Sequence, residues 1–333
     1  MIGRKFRRAR QLAAFYGSVV VGRQPVRRRV TVFPDDTFIT SYPKSGNTWT
    51  RFLIANLLRP GGEVDFLNIQ RIVPDMYRDL DGALRRLPRP RVLKSHEPYT
   101  PGYPKVLLIV RDPRDIALSY FHYKAAHGVL DADTPVAEFV ERFVAGRVDG
   151  FGPWGENVGS WLGARESDDS FLMLRYEDIK ADTPGALKKI AGLIGVDADD
   201  ATIERAVKDS SFDRMRELDS KQQWNPTQLK GATPFVRKAS AGGWREDLPA
   251  ESVQLIESRF GSIMSRLGYL LATLRPRRRD RRRPSPAARC PRRGAAGWRA
   301  SSTASARSSA CCASRSTCRP SRDAARRGTS GRR

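Results

Sequence analysis

Cysteine is missing from the first 289 residues of this 333-residue chain; all four, Cys290, Cys311, Cys312 and Cys318, fall in its last stretch. That absence excludes a disulfide-stapled fold and a cysteine-ligated zinc site over most of the sequence. Histidine is nearly as scarce: His96, His122 and His127 are the only three, which argues against a His-rich metal site. Long hydrophobic runs are also lacking. The N-terminal apolar stretch from Leu12 to Val21 is ten residues long, whereas a membrane-spanning helix needs ~20. Acidic residues are scarce only at the two ends. The whole chain has 60 Lys+Arg against 36 Asp+Glu, a net charge of +24. Residues 275–333 hold 19 basic and 2 acidic residues, and residues 1–30 hold 9 basic and none, which leaves 32 basic and 34 acidic in 31–274. The high pI therefore belongs to the ends and not to the fold, and net charge alone is a weak argument for nucleic acid as a partner.

Region 31–274 is long enough for one sizeable core, and α/β folds routinely reach this length. Within it, Phe38–Ser41, Val92–Leu93, Val106–Val110 and Phe171–Leu174 read as strands. The run at 106–110 is apolar without alternation, as in a strand buried on both faces. Helical spacing marks Thr48–Leu58, Pro113 to about Tyr123, Pro184 to about Ile194, and the pattern Val253, Ile256, Phe260, Ile263, Met264, Leu267. Strands alternating with helices predict a single α/β domain, with a central parallel sheet flanked by helices. An irregular stretch, Lys221–Glu246, is of a length usually reserved for function or disorder. Residues 1–30 form a basic arm, for which an unordered arm, a helix on an anionic membrane surface and a short targeting peptide all remain open. Residues 275–333, rich in Arg, Ala, Ser and Pro, are expected to be disordered. Their abrupt bias also looks like translation of a GC-rich gene in another frame, which the intact mass of the natural protein would test.

Two segments carry chemistry. The strand–turn–helix at 38–58 suits a phosphate: the turn and helix N-terminus present free N–H groups, Gly46 permits close approach, Lys44 brings a charge, and Ser45 and Thr48 bring hydroxyls. It is not a Walker A sequence, because the lysine precedes the glycine. The plainer reading of Lys44 is a surface lysine in a turn. The second segment is Val106–Ser119, where a buried strand ends at Arg111 and a helix begins two residues later. Arg111 then stands at the carboxyl edge of the sheet, where α/β folds bind ligands, and its fork suits a phosphate. A salt bridge to Asp112 or Asp115 is the competing reading.

Taken together, these residues resemble the cytosolic-type sulfotransferases, which use 3′-phosphoadenosine 5′-phosphosulfate (PAPS). Tyr42-Pro-Lys-Ser-Gly-Asn-Thr-Trp49 resembles their 5′-phosphosulfate loop, and Arg111 to Ser119 their 3′-phosphate motif. Lys94-Ser-His96 resembles the catalytic Lys-x-His. Arg175-Tyr176-Glu177-Asp178 is similar to the adenine-contacting segment, and Ser210-Ser-Phe212-Asp-Arg-Met215 to a further nucleotide-contacting segment. Phe235-Val-Arg237-Lys238-Ala239, followed by Gly243-Trp244, resembles the loop that closes over the 3′-phosphate. The likeness spans roughly 35–270, in the family's order. Asn47 stands where threonine is usual, Ala239 replaces a glycine, and Gly243 replaces an acidic neighbour of the tryptophan.

The resemblance implies a P-loop-like nucleotide-binding fold and sulfuryl transfer from PAPS to a hydroxyl or amine of a small-molecule, lipid or glycan acceptor, with no metal. It implies His96 as general base, Lys44 on the bridging oxygen, Lys94 on the transferring sulfonate, and Ser119 restraining Lys44. The nucleotide contacts it implies are Lys44, Ser45, Gly46, Asn47, Thr48, Trp49, Arg111, Ser119, Tyr176, Ser210, Phe212, Met215, Phe235, Arg237, Lys238 and Ala239. Trp49 and Phe212 are expected to flank the adenine, and His122 and His127 to be structural. Acceptor loops are expected at Asn68–Arg86, His127–Gly155 and Lys221–Pro234. Their aromatics, Tyr77, Phe151, Trp154 and Trp224, serve either an apolar or ring-bearing acceptor or the core. The location expected is the cytoplasm, with peripheral membrane contact through the basic arm left open. No specific nucleic acid is expected, and no oligomer follows, since the short dimer segment of animal members is not found. A P-loop kinase, which would need ATP and Mg²⁺, is the rival enzyme. Salt-sensitive nucleic-acid binding through the tail is the rival from another class.

Overall fold

The computed structural model describes residues 28–131, 133–222 and 241–272. Most of the basic arm, the Arg-rich tail, Trp224, Phe235, Arg237, Lys238 and Ala239 lie outside the described residues. In chain order the elements are β1 (Thr37–Ser41), α1 (Asn47–Leu58), α2 (Ile69–Ile72), α3 (Asp81–Leu84), β2 (Val92–Ser95), β3 (Lys105–Val110), α4 (Pro113–Ala126) and α5 (Val136–Val144). They continue with α6 (Trp154–Arg165), β4 (Phe171–Arg175), α7 (Tyr176–Ala181), α8 (Thr183–Ile194), α9 (Asp200–Asp209), α10 (Phe212–Gln222), α11 (Trp244–Asp247) and α12 (Ala250–Arg266).

The four strands form one parallel sheet in the order β2-β1-β3-β4. Both faces are covered. Phe38, Leu93, Val106, Leu108 and Val110 face one core with residues of α4, α5, α6 and α12. Ile39, Leu107, Ile109 and Leu174 face the other, with residues of α1, α8 and α9. Successive side chains of a strand point to opposite faces, so β3 can be apolar at every position only because both faces are dry.

The strand order fixes where a ligand can sit. From β1 the chain crosses to β2 on one side and later returns to β3 on the other, so the direction of winding reverses at β1. Such a switch point opens a crevice at the carboxyl ends of the strands. The register brings the ends of all four strands to that edge together: Thr40 pairs with Ser95 and with Leu108, and Val110 pairs with Arg175. The residues that follow, 42–46, His96, Arg111 and Tyr176, therefore gather on one rim.

Two expected loops are partly helical. Segment 127–155 contains α5, and 68–86 contains α2 and α3. In α5 the buried Phe139, Val140, Phe143 and Val144 recur at helical spacing and pack into the core, which is reason enough for a helix. Among the described residues no helix is long and apolar enough to cross a membrane.

Candidate functional site

The turn after β1 leads through Gly46, the left-handed N-cap of α1, with φ 92°. A Cβ at Gly46 would lie 2.4 Å from Tyr176 Cδ2, so backbone and neighbour both demand glycine. Lys44 also has positive φ, 71°, a conformation that costs a non-glycine residue about 1–3 kcal/mol. No side chain caps α1, and its first turn holds no acid. Helix α4 makes the opposite choice. Asp112 accepts the Arg114 N–H, and Asp115 lies in the first turn. The N-terminus of α4 is thus satisfied from within, whereas that of α1 keeps its N–H groups and partial positive charge for an anion. Ser45 is wholly buried, and its Oγ has no hydrogen-bond partner among the described residues. Asn47 turns its amide back to Ser41 Oγ (3.0 Å) and the Ile39 carbonyl (3.5 Å). Thr48 is half-buried on the same turn.

His96 follows β2 and is buried. Its Nδ1 lies 2.6 Å from the Ser41 carbonyl oxygen. A carbonyl can only accept, so Nδ1 carries the proton and Nε2 keeps its lone pair. Burial, and next the charge of Lys94, lower its pKa from 6.5 to about 3. The ring is therefore neutral through the whole physiological range, by burial and not by an ordinary imidazole pKa. Tyr77 stacks parallel to it at 6.1 Å and Phe151 stands edge-on at 5.5 Å. The Tyr77 hydroxyl accepts the His96 N–H (3.0 Å) and donates to Glu97 Oε1 (3.1 Å). Lys94 Nζ donates to Asp75 Oδ2 at 2.8 Å. Burial lowers the pKa of Lys94, and Asp75 opposes that shift.

On the other flank, Arg111 donates from Nη1 to the Lys44 carbonyl (3.1 Å), and its guanidinium lies 4.5 Å over the Tyr176 ring. The two acids that could have claimed it have other work. Asp112 binds Arg114, and Asp115 accepts the N–H groups of Gly242 (2.6 Å) and Trp244 (3.1 Å). Trp49 stands 5.8 Å from Tyr176 and 4.9 Å from Phe212, so the three rings form one aromatic wall. Ser210 and Met215 stand behind that wall. The Ser210 carbonyl accepts Trp49 Nε1, its hydroxyl accepts Asn56 Nδ2, and Met215 is packed into the core. Lys44 Nζ lies 4.3 Å over the ring of Tyr123, one turn beyond the half-buried Ser119 on α4.

Loop 149–152 brings Phe151 to His96. Asp149 accepts the Tyr120 hydroxyl (2.6 Å) and the Phe151 N–H (2.7 Å), and Tyr42 donates to the Gly152 carbonyl (3.2 Å). Trp154, by contrast, is fully buried against Phe260 at 5.4 Å and belongs to the core. His127 sits on its own helix, with Nδ1 2.7 Å from the Tyr123 carbonyl. Sequence reading missed Asp75, Glu97 and Tyr123, none of which lies in a local motif. Among the described residues no group of His, Cys, Asp and Glu is placed to hold a metal ion.

The arrangement joins a cationic anion cradle, an arginine at the sheet edge, an aromatic wall and a neutral imidazole on one rim. That combination can hold an anionic aromatic nucleotide and take a proton beside it. Comparison with known proteins gives the family. A profile described as the sulfotransferase domain matches residues 34–268. Mouse sulfotransferase 1B1 is 28% identical over 256 residues, covering 70% of this chain and 83% of that one. Mouse sulfotransferase 2A1 is 28% identical over 255 residues, covering 73% and 88%. The crystal structure of mouse sulfotransferase SULT7A1 complexed with PAP superposes with a TM-score of 0.58 at 26% identity, covering 76% of this chain and 90% of that one.

Proposed function

This chain belongs to the sulfotransferase family and is a PAPS-dependent sulfotransferase; we propose that it transfers the sulfuryl group of PAPS to a hydroxyl or amine of an apolar or ring-bearing small molecule, lipid or glycan, with His96 as general base. The observation that carries this reading is the pairing of the uncapped α1 N-terminus with an imidazole whose Nδ1 is fixed on the Ser41 carbonyl. The first suits the 5′-phosphosulfate, and the second leaves Nε2 to accept a proton.

In this mechanism Nε2 takes the acceptor proton as the acceptor oxygen or nitrogen bonds to sulfur. The bond from sulfur to the 5′-phosphate oxygen breaks, and its electron pair stays on the phosphate. Charge therefore builds on the leaving oxygen, as in phosphoryl transfer. Lys44 and the α1 N–H groups stabilise it, and Lys94 steadies the sulfonate. Ser45, Gly46, Asn47 and Thr48 cradle the 5′-end, Arg111 and Ser119 bind the 3′-phosphate, and Trp49, Tyr176 and Phe212 enclose the adenine, with Ser210 and Met215 behind them. Phe235, Arg237, Lys238 and Ala239 would complete the 3′-phosphate site. A base that titrates near 3 is weak by itself, but the negative charge of bound PAPS favours the imidazolium and so strengthens the base where it is needed. SULT7A1, one of the structural neighbours, was solved with PAP, the nucleotide left after such a transfer. Tyr77 and Phe151 beside His96 support an apolar or aromatic acceptor. The cytoplasm is the proposed compartment, since the cysteine-free 31–274 needs no oxidising environment. The basic arm is suited to a lipid-associated acceptor.

Two measurements test the proposal: calorimetric titration with 3′-phosphoadenosine 5′-phosphate and with ADP, and an acceptor screen with ³⁵S-labelled PAPS. Selective binding of the 3′-phosphorylated nucleotide, lost in Arg111→Ala, and label transfer to a phenol, alcohol or amine are expected. Binding of ATP with Mg²⁺ in preference to the 3′-phosphorylated nucleotide would refute it.

A further inference from the structure

Lys94 is held by one short segment in two ways. Residues 74–76 run beside β2 like a fragment of a further strand: Lys94 N donates to the Pro74 carbonyl (2.8 Å), and Met76 N donates to the Lys94 carbonyl (3.2 Å). From the centre of that fragment the Asp75 carboxylate reaches Lys94 Nζ at 2.8 Å, with side-chain exposures of 14% and 9%. The carboxylate has little freedom of its own. Its Oδ1 accepts the Tyr77 N–H (3.1 Å), while Gln70 bonds the Asp75 N–H and carbonyl, both at 3.0 Å. The other groups that face Lys94 are cations or uncharged: Arg51 and Arg78, the ring of Tyr77, and neutral His96. Arg51 is occupied by the Val73 carbonyl and Gln70 Oε1. Among the described residues, Asp75 is thus the carboxylate that bonds this buried ammonium, in a neighbourhood that also holds Arg51 and Arg78. Lys94 and Arg51 in turn overcome the burial of Asp75 and hold its pKa at about 2.

Resting on the assignment of Lys94 to the sulfonate, we propose that Asp75 is a positioning residue for sulfuryl transfer: its carboxylate fixes the Lys94 ammonium, charged and aimed, beside His96 at the carboxyl edge of the sheet. An ammonium has three N–H donors. One goes to Asp75, and the other two are left for sulfonate oxygens. Asp75 itself touches neither nucleotide nor acceptor.

The test uses the full chain labelled with [ε-¹³C]lysine, in which the Lys94 signal is identified by its loss in Lys94→Met. Asp75→Asn should move the Lys94 titration to lower pH. It should lower kcat on the order of 10²-fold, the scale of a misplaced catalytic group, and shift the alkaline limb of the kcat profile to lower pH. Affinity for 3′-phosphoadenosine 5′-phosphate should be retained. Asp75→Glu, which keeps the charge, should restore part of the limb. In a Lys94→Met background Asp75→Asn should cost no further turnover, since the two act as one unit. An unmoved Lys94 titration, or an equal loss of turnover with and without Lys94, would overturn the proposal. A wild-type chain that binds no 3′-phosphoadenosine nucleotide would instead refute the functional reading, and the Lys94 titration would still decide whether Asp75 governs that ammonium.

Discussion

Replacing Gly46 by alanine perturbs the anion turn and the aromatic wall at a single atom. The backbone there has φ 92°, and an L-residue in the left-handed region costs roughly 1–2 kcal/mol. The added methyl would lie 2.4 Å and 2.7 Å from Tyr176 Cδ2 and Cε2, far inside the ~3.5 Å of a normal carbon contact. Tyr176 has no easy retreat. It is 3% exposed, with Arg111 over its ring at 4.5 Å and Trp49 at 5.8 Å. Such overpacking costs about 1–3 kcal/mol, so the total is about 2–5 kcal/mol. At ~2–4 °C per kcal/mol for a domain of this size, Tm should fall by roughly 4–20 °C. Because Tyr176 supports Arg111, the Kd for 3′-phosphoadenosine 5′-phosphate should rise about tenfold or more, a loss of ~1.4 kcal/mol. Thermal unfolding and calorimetry read both effects. In a Tyr176→Ala background the steric part vanishes, and the cost of Gly46→Ala should shrink to the roughly 1–2 kcal/mol of backbone strain. A Gly46→Ala protein with wild-type Tm and affinity, or a cost that is the same with and without the ring, would refute the reasoning.

Acid stability should report His96. Its pKa is about 3 when folded, against 6.5 ordinarily, so below pH 6.5 the unfolded chain binds a proton that the folded chain refuses. Its contribution is complete above 6.5 and is lost as pH falls, by about 1.4 kcal/mol per unit down to about 3. Denaturant titrations of His96→Gln should show a slope smaller by one proton across that window, and an unchanged slope would contradict the burial argument. Asp149→Asn should loosen the loop that carries Phe151, costing about 1–3 kcal/mol of stability. It should raise KM for the acceptor while nucleotide affinity stays put; a KM left at the wild-type value would deny the loop its role.

The sheet-edge segments were legible because each is local. A strand, a glycine turn and a helix start lie within a few residues, and β3 betrayed its double burial by having no polar face. The alternative partners of Arg111 could be decided only in space, where Asp112 goes to Arg114 and Asp115 to the backbone of Gly242 and Trp244. Asp75 was illegible for a related reason. Its link to Lys94 crosses nineteen positions and rests on an isolated bridge with no periodic signature. Helix α5 was a different failure: its apolar spacing was present in the sequence, inside a segment taken as an acceptor loop. For His96, burial takes the pKa far below the ordinary imidazole value, with consequences for acid stability that composition could not suggest.

The most direct measurement is single-turnover transfer of ³⁵S from PAPS to the best acceptor by wild-type and His96→Ala protein, with calorimetric binding of 3′-phosphoadenosine 5′-phosphate measured on the same samples. Transfer should vanish in the variant while the nucleotide binds as before. Transfer at most of the wild-type rate would contradict the assignment of His96 as the base.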